Sequence, residues 1–119
     1  MIRSLLQGKV ARCSHGNQVR DFLYVEDVAD AFVALLNSEV SGPINIASGR
    51  PIALRELIYK IAAKFKREDL IQLGAISTPQ DEPPLLVADV KRLQDEVGWT
   101  PKCDLDTGLE QTIEWWKHE

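Results

Sequence analysis

The chain is short of the features that mark membrane, secreted or nucleic-acid-binding proteins. No apolar run approaches the roughly 20 residues of a membrane span, and Met1–Val10 lacks the apolar core of a signal peptide. Only two cysteines occur, Cys13 and Cys103, and they form no CxxC pair. No disulfide framework is therefore expected, and a reduced, cytoplasmic setting is. Positive charge is also scarce: 14 Lys and Arg stand against 18 Asp and Glu, a formal net charge of −4. A dedicated nucleic-acid binder would instead cluster cations against phosphates. The two histidines, His15 and His118, have no partners at ligand spacing, so no metal site is expected. The GxSxG, HExxH, P-loop and GxGxxG motifs are missing, and nothing repeats or is of low complexity.

What remains is an ordinary globular mixture, 45% hydrophobic and 27% charged over 119 residues. That length supports one domain, Met1–Glu119, with a single core. Ile2–Gln7 reads as helix stopping at Gly8, and Val10–Cys13 as a short apolar stretch before a polar turn, Ser14-His15-Gly16-Asn17. Val19–Val25 alternates as a strand, with Val19, Asp21, Leu23 and Val25 on one face. A helix over Asp27–Asn37 follows, with Val28, Phe32, Leu35 and Leu36 at helical spacing and Asp27 expected to cap it. Ile44–Ala47 reads as a strand. Leu54–Phe65 is the clearest helix, its stripe formed by Leu54, Leu57, Ile58, Ile61, Ala62 and Phe65. Leu70–Leu73 reads as a strand ending at Gly74, and Ser77–Pro84 as a loop. Asp89 caps a short helix that ends at Gly98, and a last helix covers Leu105–Lys117 with Leu109, Ile113 and Trp116 on one face. This alternation predicts an α/β fold, a small sheet covered by helices.

Three stretches carry more. They are Gly16-Asn17-Gln18-Val19-Arg20-Asp21-Phe22-Leu23-Tyr24-Val25-Glu26-Asp27-Val28-Ala29, then Asn45-Ile46-Ala47-Ser48-Gly49, then Gly98-Trp99-Thr100-Pro101 before the final helix. In this order and spacing they resemble the C-terminal, substrate-binding half of the extended short-chain dehydrogenase/reductases, which include the NAD-dependent nucleotide-sugar epimerases and dehydratases. The resemblance runs from about Leu5 onward. It implies that the glycine-rich dinucleotide loop, the ribose-binding acid and the catalytic Ser/Thr–Tyr–Lys group belong to a half that this sequence does not contain. Tyr59 is followed by Lys60 but has no lysine four residues on, so it does not meet the Tyr-x-x-x-Lys spacing. No catalytic residue is assigned, and neither NAD nor NADP, the cofactors of full-length relatives, is expected to bind this chain.

The resemblance places Arg20, Cys13, Asn17 and Gln18 at the substrate. Arg20 matches an arginine that in relatives contacts the nucleotide diphosphate, and a guanidinium suits that task because it offers a planar fork of donors. The alternative is a local pair with Glu26 or Asp27. Cys13 stands where relatives often carry an aromatic residue beside the base, so a stacking surface is lost. Thr78 stands where relatives often have an arginine, three residues before Asp81; the second phosphate clamp is missing, and Arg50 or Arg92 could replace it only by an accident of geometry. Asn45 matches a turn residue, Asp21 and Asp27 match structural acids, and Trp99, Trp115 and Trp116 read as packing groups. The expected partners are a nucleotide sugar, held weakly, and a second copy of the chain in a homodimer. The rival readings are an interaction module without catalysis and one chain of a split enzyme completed by a chain bearing the dinucleotide-binding half.

Overall fold

A computed structural model describes residues 1–118. The chain folds as α1 (Ile2–Leu6), β1 (Ala11–Arg12), β2 (Val19–Asp21), α2 (Val25–Leu36), β3 (Pro51–Ala53) and α3 (Leu54–Lys64). A 3-10 turn over Glu68–Leu70 leads into β4 (Ile71–Gln72), then β5 (Leu85–Leu86), a π-helical turn over Leu93–Val97, and α4 (Leu105–Lys117). The fold is α/β, as the alternation predicts, but the strands form two small sheets and not one. In the first, β1 and β4 run parallel, with Ala11 opposite Ile71. In the second, β2 is central, antiparallel to β3 with Arg20 opposite Ile52, and parallel to β5 with Arg20 opposite Leu86.

The α3 stripe packs as its periodicity requires. Leu57, Ile58, Ile61 and Ala62 are buried with Leu5, Ala11, Cys13, Leu70 and Ile113, and Leu54 and Phe65 close the edge of this core. A second core gathers Leu93, Trp99 and Ala31, flanked by Leu23, Ile44, Ile46 and Val90. Gly98 adopts a left-handed φ of 77°, which ends the π-helical turn and swings Trp99 into that core. In α4, Gly108 lies where a Cβ would sit 3.0 Å from Cβ of Tyr24, so the helix approaches the β2–α2 junction closely.

Several expectations are corrected. The strand from Val19 stops at Asp21; Phe22–Tyr24 form the connection to α2, which starts at Val25. Asp27 therefore falls inside the first turn of α2, buried, and does not cap it; its carboxylate accepts the amides of Lys102 (3.4 Å) and Cys103 (3.1 Å) instead. Ile44–Ala47 makes no ladder with any described strand. Its isoleucines are held only by side-chain packing, and a strand needs a neighbour to complete its backbone bonds. The stripe chosen for α2 is also rotated. Ala31 is fully buried, whereas Phe32 and Leu36 are exposed by 53% and 83%. The helix is apolar on two sides, and its small-residue side admits Leu93 and Trp99 closely.

Candidate functional site

The turn that follows β1 and the loop that precedes β5 meet across a cleft of about 380 Å³, lined by His15, Asn17, Gln18, Thr78, Pro79, Gln80, Glu82 and Pro84. One wall is fixed by the start of α3. A helix N-terminus leaves amides without intrahelical partners; here those of Leu54 and Arg55 donate to the carbonyls of Gln18 and Gly16, both at 2.8 Å. Gly16 makes the approach possible. Its φ is 74°, and a Cβ there would lie 2.8 Å from Cβ of Arg55. Nδ1 of His15 accepts the Asn17 amide at 2.9 Å, which closes the turn. The other wall is tied to β2 by the Val19 amide, which donates to the Pro84 carbonyl at 2.9 Å.

Two polar atoms in this cleft are buried with no protein partner, Oε1 of Gln18 and Oγ1 of Thr78. Gln18 is only 6% exposed, and its amide nitrogen is engaged at 3.4 Å with Ser14 Oγ, so its oxygen faces inward as an unused acceptor. An orphaned buried acceptor carries a penalty of roughly 1–3 kcal/mol unless a ligand or water satisfies it. Gln18 and Thr78, the residues that carry these two atoms, both line the cleft.

Arg20 lies beside the cleft in β2 and pairs with neither Glu26 nor Asp27. Its Nη2 donates to Oε1 of Glu82 at 3.2 Å and to the Pro83 carbonyl at 2.8 Å, while Nη1 donates to its own neighbour, the Val19 carbonyl, at 2.9 Å. Asn17, Gln18 and, through Glu82, Arg20 are thus brought together. Cys13 is not: it is buried in the first core, where desolvation holds its thiol above the ordinary range. Arg92 is committed to Glu96 and to the carbonyls of Ser41 and Pro43 on the far side of the fold. Arg50 lines a different hollow of about 170 Å³ between the Phe22–Tyr24 connection, β3 and α4, whose walls are chiefly packing groups such as Phe22, Leu57, Leu105 and Leu109. Neither arginine replaces the clamp missing at Thr78. Glu82 was invisible to sequence reasoning, because only the fold brings it to Arg20 from 62 positions away.

Asp21 and Asn45 bond within the fold, and Asn45 does so across a long range and not in the local turn expected for it. Asp21 accepts the amides of Ser48 (2.9 Å) and Gly49 (2.8 Å), and Nδ2 of Asn45 donates to the Asp89 carbonyl at 3.1 Å.

Residues 1–112 match the family model described as GDP-mannose 4,6 dehydratase. The chain belongs to this family. Among curated proteins it is similar to GDP-L-fucose synthase 1 of Arabidopsis thaliana, 39% identical over 85% of this chain and 31% of that one. UDP-glucuronic acid decarboxylase 1 of Danio rerio is 29% identical over 99% of this chain and 28% of its own length. The chain thus spans about a third of these family members. Among solved structures, the UDP-N-acetylglucosamine 4-epimerase of Methanobrevibacter ruminantium, in complex with UDP-N-acetylmuramic acid, superposes at a TM-score of 0.86 with 25% identity. That match covers 98% of this chain and 37% of the epimerase. The dTDP-glucose 4,6-dehydratase of Bacillus anthracis, in complex with NAD, shares the fold at a TM-score of 0.87 and 21% identity, over 99% of this chain and 38% of the dehydratase. The resemblance read in the sequence, to nucleotide-sugar epimerases and dehydratases, is therefore correct. Among the described residues, no helix is long and apolar enough to cross a membrane.

Proposed function

We propose that the chain is a nucleotide-sugar-binding module that corresponds to the substrate half of a GDP-mannose 4,6-dehydratase family enzyme and does not transfer hydride by itself. The observation that carries the reading is the unsatisfied acceptor of Gln18, buried in a cleft beside the one arginine of the Arg-Asp-Phe segment. Base or sugar donors would satisfy Gln18 and Thr78, and Arg20 would supply the charge for a diphosphate. The relatives support this ligand class, being named for GDP-, UDP- and dTDP-linked sugars. The sequence offers neither a glycine-rich dinucleotide turn nor a Tyr-x-x-x-Lys pair, so chemistry would need both from elsewhere.

Binding is expected to be weak. One charge-assisted arginine contact contributes about 1.5–3 kcal/mol, which offsets only part of the entropy lost on association. The expected affinity is therefore no tighter than about 1 mM, which corresponds to about −4 kcal/mol. Titration of isotope-labelled chain with UDP-glucose, GDP-mannose and dTDP-glucose tests it by NMR. Saturable shifts at the Gln18 side-chain amide and Arg20, lost in Arg20→Ala, are expected. Shifts absent at these groups, or unaltered by Arg20→Ala, would overturn the assignment.

A second observation favours an interaction role. Val25, Ala29, Phe32, Val33 and Leu36 form an exposed, uncharged stripe along α2, on the side of the helix away from Ala31. We propose that this side seats the dinucleotide-binding portion that family members carry in the two thirds of their length not matched here. A homodimer through the same stripe is the outcome that would replace this seating, and sedimentation distinguishes them.

A further inference from the structure

The pairing of Arg20 bears on how tightly the cleft can hold an anion. A guanidinium grips a phosphate best through two parallel N–H bonds, and both of its forks include Nη2. In this chain the two Nη2 hydrogens are taken, one by Glu82 Oε1 at 3.2 Å and one by the Pro83 carbonyl at 2.8 Å. The ion pair is half-buried, with Arg20 20% and Glu82 30% exposed, so solvent screens it less than a surface pair. Glu82 also lines the cleft itself, together with Gln18 and Thr78. Its carboxylate is therefore an internal anion at the position where an incoming phosphate oxygen would meet Arg20.

We infer that Glu82 is the affinity-determining residue of the cleft, an internal competitor that a phosphate-bearing ligand must displace before Arg20 can engage it. The inference rests on the cleft being the nucleotide-sugar site. Glu82 acts in two ways. It occupies one of the two Nη2 hydrogens, and with it one guanidinium fork, and its negative charge repels the ligand's diphosphate. Removing it leaves Arg20 held by the carbonyls of Val19 and Pro83, which keep its position without opposing an anion. The cleft as it stands favours the uncharged part of a ligand, through Gln18 and Thr78, over the charged part.

The test compares the native chain with Glu82→Ala, Glu82→Gln, Arg20→Ala and the double variant Arg20→Ala/Glu82→Ala, titrated with UDP, inorganic pyrophosphate and uridine. Glu82→Ala is expected to tighten UDP and pyrophosphate about tenfold, Glu82→Gln by less because its amide oxygen still accepts from Arg20. Uridine affinity should stay unchanged, and the gain should vanish in the double variant. Unchanged or weakened pyrophosphate and UDP binding in both Glu82 variants would overturn the role of Glu82, while binding of UDP that Arg20→Ala abolishes would leave the site itself standing. A gain that persists without Arg20 would also overturn it. Absence of UDP binding in every variant would remove the cleft reading and this inference together.

Discussion

Trp99 donates its indole N–H to Oδ2 of Asp30 at 2.8 Å, which fastens the second core to α2. Lys102 holds the other oxygen of the same carboxylate at 3.0 Å. The bond from Trp99, then that from Lys102, keep the Asp30 carboxyl below its usual range. A carboxylate depressed in the folded state gives stability that is complete above its unfolded pKa of about 3.9 and is lost as pH falls through the folded value. Urea midpoints measured from pH 6 to pH 2.5 should therefore fall at the acid end, and fall less steeply in Asp30→Asn. Parallel acid limbs in the two proteins would show that Asp30 is not linked to folding.

Asp27 is the buried acid that joins α2 to the loop before α4. Truncation in Asp27→Ala leaves the amides of Lys102 and Cys103 without acceptors, a loss of about 1–3 kcal/mol by the cost of unmet buried hydrogen bonds. Asp27→Asn keeps one acceptor oxygen and should lose less. Chemical denaturation ranks the three proteins; equal stability would mean that water replaces the carboxylate without penalty.

Much of this was legible in advance. The stripe from Leu54 to Phe65 stood out because six apolar residues at helical spacing leave one packing solution, and α4 lies where its periodicity placed it, with a cap the sequence reading did not name, Asp104, whose Oδ1 accepts the Thr107 amide at 2.7 Å. Ile44–Ala47 misled because a short apolar run reports a strand-like composition and not the presence of a neighbour to pair with. The orientation of α2 misled because Ala31 gives no hydrophobic signal, although a small side chain is what close packing against Trp99 needs. The resemblance alone singled out Asn17 and Gln18, which line the cleft, and Arg20, which lies beside it. Glu82 did not, since a contact across two loops leaves no local mark.

Gly16 sets the shape of the cleft wall. Gly16→Ala combines a left-handed backbone with a Cβ against Arg55 Cβ, and a non-glycine residue held there costs about 1–3 kcal/mol. The expected result is a lower melting temperature together with loss of the hydrogen-exchange protection of the Leu54 and Arg55 amides. Retained protection would show that the turn can yield without moving α3.

Neither thiol should be reactive. Burial raises the Cys13 thiol, and burial together with Asp27, Asp104 and Glu26 raises that of Cys103. Since the thiolate is the nucleophile, both should alkylate with iodoacetamide at pH 7.5 more slowly than free cysteine, as followed by intact mass. Rapid labelling of Cys103 would show that the hollow it lines opens readily.

The uncovered side of α2 gives the most demanding expectation. Val25, Phe32, Val33 and Leu36 are 70%, 53%, 55% and 83% exposed, and with Ala29 they fall on one helical face. The molecule is only 18 Å thick in its shortest dimension, so much of its apolar surface has no layer above it. Contiguous apolar patches of this kind mark contact surfaces. Phe32→Glu/Leu36→Glu removes the patch without touching the Ala31 side that packs on Leu93 and Trp99. Substitutions at such uncovered positions usually change stability by no more than about 0.5 kcal/mol, so the double variant should melt near the native chain. Light scattering should show it as a monomer with less aggregation at high concentration. A native dimer that the variant splits would make a second copy the occupant of the stripe. A large fall in melting temperature would instead mean that the stripe is covered within the chain itself.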